Sequence, residues 1–194
     1  MDKYKYIVTT LTGLEDIVSE ELEELGARTI EKFRGRIIIE APLEFIAIGN
    51  YLSKTAHKFY VVINEGYADN YASLYKVIFE SPFEEVIRST DTIAVRSEKT
   101  EGVKLKRTRM NEIGGSAVLR KYLTAIGERL KVNLSQPDVE IHIYTIHDGR
   151  VFVALNTTGE SLHKRRYREG YHPAPMRATL AASMIRIGEW NPAK

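Results

Sequence analysis

Residues 91–156 carry the pattern that most constrains the fold, because they combine two kinds of hydrophobic periodicity. Residues 91–97 are β-branched and alternate in polarity, which predicts a strand. Apolar residues then recur at helical spacing, at Val118, Leu119, Tyr122, Leu123, Ile126 and Leu130. Two more alternating segments, 140–146 and 151–156, are joined by Asp148-Gly149, a pair that type I′ hairpins favour. The stretch therefore predicts strand, loop, helix and hairpin in that order.

The loop between this strand and this helix is basic. Residues 98–110 hold two acids and five cations, Lys99, Lys104, Lys106, Arg107 and Arg109. Gly114-Gly115-Ser116 is expected to open the helix. A helix start presents unpaired N–H groups and a partial positive charge. The sequence therefore predicts a phosphate-binding seat where the basic loop meets the helix.

The first 63 residues predict the order β-α-β-β-α-β, which is the ferredoxin-like order. Thr12 and Glu15 have the spacing of a capping box at the start of the first helix. Four acids crowd that helix, namely Glu20, Glu21, Glu23 and Glu24. Adjacent helical residues point to different sides and do not converge on one ion, so a solvated acidic face is the expectation.

Composition excludes several classes of protein. A chain of 194 residues with 43% hydrophobic residues can form a true core, and its lack of cysteine excludes disulfides, thiolate nucleophiles and cysteine-bound zinc. No run reaches the roughly 20 apolar residues of a membrane span, and the N-terminus lacks the apolar core of a signal peptide. A cytoplasmic protein without a membrane partner is expected. No histidine has a convincing ligand partner, so no metal site is predicted.

Charge is distributed unevenly along the chain. Residues 1–50 carry six Lys+Arg against ten Asp+Glu, whereas residues 111–194 carry twelve against eight. This pattern is typical of an acidic scaffold joined to a basic working surface, although chance produces swings of similar size. Tyr67, Tyr71 and Tyr75 recur at intervals of four before the basic loop, and packing is favoured over base stacking for such a stripe.

The C-terminal residues 159–194 begin with a second basic cluster. Lys164, Arg165, Arg166 and Arg168 surround Tyr167, a mixture suited to phosphates and base stacking, with a solvated linker as the alternative. The segment 178–187 is amphipathic, with Leu180, Ala181, Met184 and Ile185 at helical spacing. Its apolar face is expected to be exposed, so disorder or self-association through this C-terminal helix are both open.

The order of strand, basic loop, helix and hairpin, with Pro137-Asp138-Val139-Glu140-Ile141 after the helix, resembles the THUMP domain of RNA-modifying enzymes. The pattern from Gly13 to Gly26 resembles the ferredoxin-like domain that precedes THUMP. The segments 161–168 and 174–183 resemble the junction to the methyltransferase domain of RNA guanine-N2 methyltransferases. The resemblance implies an α+β chain made of a ferredoxin-like domain (1–63), an α/β THUMP domain (64–158) and a basic linker with the start of a methyltransferase domain (159–194).

What the resemblance implies for function is a tRNA-binding module. THUMP domains hold the acceptor stem and 3′ end of tRNA, so that a guanosine reaches a catalytic site carried elsewhere. Alternatives are an enzyme in its own right, a non-catalytic accessory protein and the targeting half of a tRNA thiolation enzyme. The expected RNA contacts are Arg96, Lys99, Lys104, Lys106, Arg107, Arg109, Gly114, Gly115, Ser116, Arg120, Lys121, Lys164, Arg165, Arg166 and Arg168.

Motifs that a methyltransferase needs are missing from the sequence. Binding of S-adenosylmethionine requires a glycine-rich turn after a strand, and Gly114-Gly115 is the only adjacent glycine pair. An Asn/Asp-Pro-Pro-Tyr/Phe motif is also missing. We therefore expect no catalytic residue and no bound cofactor in this chain, with S-adenosylmethionine used by the full-length enzyme.

Overall fold

A computed structural model describes residues 2–164 and 176–190. The chain divides into two compact units, residues 1–61 with 157–194, and residues 62–156. The described residues 157–164 and 176–190 thus group with the first unit. In the described part of the chain, no helix has the length and apolar character needed to cross a membrane.

The first unit has the ferredoxin-like order that its sequence predicts. Its elements are β1 (Tyr4–Thr9), α1 (Glu15–Glu24), β2 (Arg28–Phe33), β3 (Arg36–Ala41), α2 (Phe45–Leu52) and the beginning of β4 (Lys58–Tyr67). The strands lie in the order β2-β3-β1-β4, and each neighbouring pair is antiparallel. Residues such as Ile7, Leu22, Ile39, Phe45 and Phe59 are fully buried and form the core.

The start of α1 differs from the expected capping box. The cap residue is Leu14, which makes no side-chain capping bond, and Glu15 is the first helical residue. Its carboxylate accepts hydrogen bonds from the N–H groups of Gly13 and Gly35. Because Glu15 stands at the first helical position instead of the third, it closes the turn before the helix and ties it to the β2–β3 turn.

The acidic face of α1 is only partly solvated. Glu20, Glu23 and Glu24 are exposed, but Glu21 is buried. The Glu21 carboxylate accepts hydrogen bonds from the Ser53 hydroxyl at 2.8 Å and the Lys54 N–H at 2.9 Å, and from both the N–H and the hydroxyl of Thr55. The expectation of a fully solvated face was wrong at this position, because Glu21 fixes the loop between α2 and β4.

The C-terminal helix α6 (Ala178–Ile187) turns its polar side inward. Thr179 and Ser183 are buried, and Arg186 forms an ion pair with Glu24 on α1. The apolar side chains of Met184, Ile185, Ile187 and Trp190 are exposed instead, as expected for an apolar face without a partner. Self-association through this helix stays a prediction.

The second unit is an α/β domain. After the end of β4 come α3 (Tyr71–Phe79), α4 (Phe83–Val86), β5 (Thr92–Lys99), α5 (Arg107–Ile126), β6 (Lys131–Val132), β7 (Val139–Thr145) and β8 (Arg150–Asn156). The strands lie in the order β4-β8-β7-β5-β6, with β5 parallel to β6 and β7, and β7 antiparallel to β8. The long helix α5 is the crossover that a parallel pair requires.

The β7–β8 hairpin lies where Asp148-Gly149 predicts it, but the turn is not type I′. Gly149 has a φ of 90°, whereas Asp148 is not among the residues with positive φ. The Ile146 N–H donates to the Arg150 carbonyl at 2.8 Å, which leaves a three-residue loop. A three-residue loop that ends in a left-handed glycine is the next most common hairpin connection.

Candidate nucleic-acid interface

Helix α5 begins at Arg107 and not at Gly114, so the predicted helix start was wrong by two turns. Gly114, Gly115 and Ser116 lie inside the helix, where each N–H donates to a carbonyl four residues earlier. They cannot offer these N–H groups to a phosphate. The glycine pair, being helical, also cannot form the turn that approaches S-adenosylmethionine.

Packing explains why the helix runs through two glycines. A Cβ atom on Gly114 would overlap Ile143 and lie 2.9 Å from Val95 Cγ1, so Gly114 allows α5 to approach β5 and β7 closely. A Cβ atom on Gly115 would meet no atom within 4 Å. Met110, Ala117 and Val118 are fully buried and continue the same contact in both directions.

The true N-terminus of α5 lies within the basic loop. Lys106 is the cap residue, makes no side-chain capping bond, and donates its backbone N–H to the Tyr71 hydroxyl at 3.0 Å. The first turn contains no acidic residue. Because the first N–H groups of a helix lack helical partners, and cations are unfavourable at its positive end, this end of α5 is suited to an anion.

The expected cations fall into two groups. Among the described residues, four are exposed and have no carboxylate within ion-pair distance: Lys104, Lys106, Arg107 and Arg120. Five others are engaged with protein oxygens: Arg96, Lys99, Arg109, Lys121 and Lys164. Arg165, Arg166 and Arg168 lie outside the described residues.

Two of the engaged cations, Arg96 and Lys121, have structural partners that are distant in the sequence. Arg96 on β5 donates to the Glu140 carboxylate at 3.0 Å and to the Leu134 carbonyl at 2.9 Å, and so ties β5 to β7 and to the loop before it. The Lys121 ammonium lies 2.8 Å from Glu84, and both side chains are largely buried. These two cations are less available to phosphates than the sequence suggests.

Asp138, in the most specific segment of the motif, has a structural task that sequence reasoning missed. Its carboxylate accepts the Thr92 N–H at 2.8 Å and the Thr92 hydroxyl at 2.7 Å, while the Asp138 N–H donates back to that hydroxyl. The hydrogen bond from the Thr92 side chain lowers the pKa of Asp138. The pair fixes the start of β7 beside the start of β5.

The three tyrosines do not form one stripe, because Tyr67 lies in a different element from Tyr71 and Tyr75. The Tyr71 and Tyr75 side chains pack against the core, and the Tyr75 ring stacks on Phe79 with centroids 5.8 Å apart, as the packing interpretation predicts. Tyr67 belongs to β4 and not to the helix, and 71% of its surface is exposed. The change from strand to helix at Asn70, which caps α3, is the signal that separates Tyr67 from the other two.

Within residues 2–164 and 176–190, no three histidine, aspartate or glutamate side chains come together in a group that could hold a metal ion.

Comparison with known proteins identifies both units. Residues 5–59 match the RlmL ferredoxin-like domain and residues 68–156 match the THUMP domain. The chain is 32% identical over 191 residues to the tRNA (guanine(6)-N2)-methyltransferase of Methanocaldococcus jannaschii and 31% identical over 190 residues to that of Archaeoglobus fulgidus. These alignments cover 96% of this chain but 50% and 48% of the relatives, so the chain spans about half the length of the curated relatives it matches.

A solved structure from Listeria monocytogenes str. 4b F2365, described as a predicted N6-adenine-specific DNA methylase, shares the fold. The TM-score is 0.85 at 22% identity, and the match covers all of this chain and 50% of that one. Together the two matched domains take in most of the chain. The chain therefore belongs to the THUMP-containing family in which an RlmL-type ferredoxin-like domain precedes the THUMP domain.

Proposed function

We propose that this chain is the tRNA-binding half of a tRNA guanine-N2 methyltransferase. It holds the acceptor stem and 3′ end of tRNA, so that one guanosine reaches a catalytic domain that follows the linker. Support comes from two relatives named tRNA (guanine(6)-N2)-methyltransferase, which match this chain over about half of their own length.

The observation that carries the proposal is the N-terminus of α5. Lys104, Lys106 and Arg107 are exposed and free of carboxylates in the described structure, and they surround a helix start that has neither a side-chain cap nor an acidic first turn. Cations at this end raise the local positive potential instead of balancing it. An RNA phosphate at this position would neutralise the cationic side chains and also accept hydrogen bonds from the unpaired N–H groups of the helix start.

The catalytic step lies outside the residues of this chain. In the full-length enzyme, S-adenosylmethionine would supply the methyl group for the guanine amine. The chain's own residues would bind the RNA backbone and fix its register, which positions the target without reading its sequence.

Charge reversal at the helix start tests the proposal. Lys106→Glu with Arg107→Glu should lower tRNA affinity about tenfold or more in low salt, because two phosphate contacts are lost. The fold should not suffer, since acids at a helix N-terminus stabilise it by about 0.3–1 kcal/mol. Fluorescence anisotropy with labelled tRNA measures the affinity, and circular dichroism measures the fold.

The matched control is Arg129→Glu with Lys131→Glu, which changes the net charge equally. Both side chains are exposed and follow the other end of α5, roughly 30 Å away at 1.5 Å per residue. This control should retain most of the tRNA affinity. Equal affinity loss in the two double variants would reduce the interaction to a general charge effect and contradict the proposal.

A further inference from the structure

The apolar stripe of α5 is only partly covered by its own domain. Val118 is fully buried, but 39% of Leu123 and 45% of Ile126 remain exposed. Val132 and Leu134, in the segment that follows the helix, are 54% and 65% exposed. A single exposed aliphatic side chain is ordinary, whereas several on adjoining elements are typical of a surface that contacts a partner.

These side chains border a groove on the surface of the second unit. One part of it, of about 620 Å³, lies between β5, α5 and the segment after α5, and its lining includes Val95, Leu119, Val132 and Leu134. The second part, of about 400 Å³, continues along α5 and shares Ser116 and Leu119 with the first. Volumes in this range are typical of sites that enclose a ligand.

The sheet has an open edge beside this groove. Strand β6 pairs with β5 only at Thr92 and Ile93, and the Asn133 N–H then donates to the Ile93 carbonyl at 3.0 Å. Within residues 62–156, which are all described, no strand pairs with this edge of β5 beyond Ile93. Backbone groups of alternate residues point to the same edge, so Val95 and Ser97 direct their N–H and C=O groups outwards as Ile93 does. An unpaired edge of this kind accepts an added strand.

The rim of the groove is basic. Arg120 and Arg129 line its second part, and Lys131 follows them on β6. All three side chains are exposed, and none has a carboxylate within ion-pair distance in this fully described unit. Arg96 and Glu112, the charged residues of the first part, are each engaged in an ion pair. The unpaired charge at the rim is therefore positive, which complements carboxylates on a partner.

We propose that this groove docks an extended, acidic segment of a partner protein. The segment adds a strand to the open edge of β5, buries alternate aliphatic side chains against Leu119 and Val132, and directs its carboxylates towards Arg129 and Lys131. The lining favours a protein over RNA, because it is largely aliphatic and has no aromatic ring on which a base could stack. The basic rim follows the C-terminal end of α5, so the proposed tRNA contact at the N-terminus stays free.

The test measures binding of labelled peptides of about eight residues to the full chain by fluorescence anisotropy. The first peptide alternates valine and glutamate. Three matched peptides replace valine by serine, replace glutamate by lysine, or carry N-methyl groups that block strand pairing. The first peptide should bind, and each of the other three should bind at least about tenfold more weakly.

Charge reversal separates this site from the proposed tRNA contact. Arg129→Glu with Lys131→Glu should weaken binding of the valine–glutamate peptide about tenfold and retain tRNA affinity. Lys106→Glu with Arg107→Glu should do the opposite. The two double variants change the net charge equally, so each is the control for the other.

Filling the groove provides a test that does not depend on charge. Gly115 lines the first part of the groove, and a Cβ atom there would meet no atom within 4 Å. Gly115→Leu should therefore place a side chain in the groove and weaken peptide binding about tenfold, with circular dichroism unchanged. Gly115→Ala adds only one methyl group and should keep most of the peptide affinity.

Several results would overturn the inference. They are a wild type that does not bind the valine–glutamate peptide, equal affinity for the serine peptide, and full peptide binding by the Gly115→Leu variant. A dimer in sedimentation experiments that Gly115→Leu dissociates would also overturn it, because a second copy of the chain would then occupy the groove. A chain that binds the peptide but not tRNA would contradict the proposed function and support this inference.

Discussion

At the residue scale, Glu21 is the side chain on which the loop before β4 depends. It accepts four hydrogen bonds from residues 53–55. Glu21→Gln replaces one accepting oxygen with an amino group that faces donors, so we expect the free energy of unfolding to fall by about 1–3 kcal/mol. Urea denaturation measures this loss. Glu20→Gln, on the exposed side of α1, is the control and should change stability little.

Glu21 also shows what residue identity alone hides. The four glutamates of α1 have the same chemistry, and they differ only in the side of the helix on which each one lies. Ile17, Glu21 and Leu25 lie four residues apart, which places Glu21 on the apolar stripe of α1. That spacing is the signal that could have identified it. Its partners, residues 53–55, are not predictable from local sequence, because only the tertiary fold brings them next to Glu21.

His57 makes the stability of the first unit depend on pH. Burial, together with the nearby His163 and Arg177, lowers its pKa from 6.5 to about 4, and its Nε2 lies 2.9 Å from the Thr179 hydroxyl of α6. Between these two pH values the unfolded state binds a proton that the folded state does not. Stability should therefore be greatest above pH 6.5 and should fall as the pH drops towards 4.

Thermal unfolding of the wild type and of His57→Gln across this pH range measures the effect. The variant should lose stability less steeply, because its amide does not titrate. His147→Gln changes an exposed histidine and should keep the wild-type slope. Parallel curves for the wild type and His57→Gln would remove His57 as the cause.

At the scale of elements, the two central glycines of α5 should respond oppositely to alanine. Gly114→Ala places a methyl group against Ile143 and Val95, so we expect a loss of about 1–3 kcal/mol from overpacking. Gly115→Ala meets no atom within 4 Å and should gain about 0.5–1 kcal/mol from helix propensity. Urea denaturation of both variants compares them, and a similar change in both would contradict the close approach of α5 to the sheet.

Helix α5 also shows which structural features local sequence does not predict. The order of strands and helices is predictable, because periods of two and 3.6 residues alternate along the chain. The start of α5 is not predictable from local sequence, since Lys106 is an unusual cap residue and the first turn of the helix is as basic as the loop before it. Buried Met110 and Gly114 extend the helix backwards through tertiary packing. The cations were predictable by type, but the partners of Arg96 and Lys121 come from other elements.

At the scale of the whole molecule, net charge does not locate the interface. Residues 62–156 contain thirteen Lys+Arg and thirteen Asp+Glu, so the THUMP unit is formally neutral. The positive excess of residues 111–194 in the linear sequence arises partly from the segment that groups with the first unit. The proposed RNA binding should therefore depend on local clusters of cations without carboxylate partners, and salt titration counts the phosphates that such cations neutralise.

The slope of tRNA affinity against salt concentration should show whether the segment 164–168 joins the surface. The proposed contact has seven candidate cations: Lys104, Lys106, Arg107, Arg120, Arg165, Arg166 and Arg168. At about 0.9 per neutralised phosphate, we expect a slope near 6 for the wild type in a plot of log affinity against log salt. Replacing the three arginines of 165–168 by alanine should reduce it to about 4. An unchanged slope would confine the interface to the basic loop and α5, because a segment that releases no counterions makes no phosphate contact.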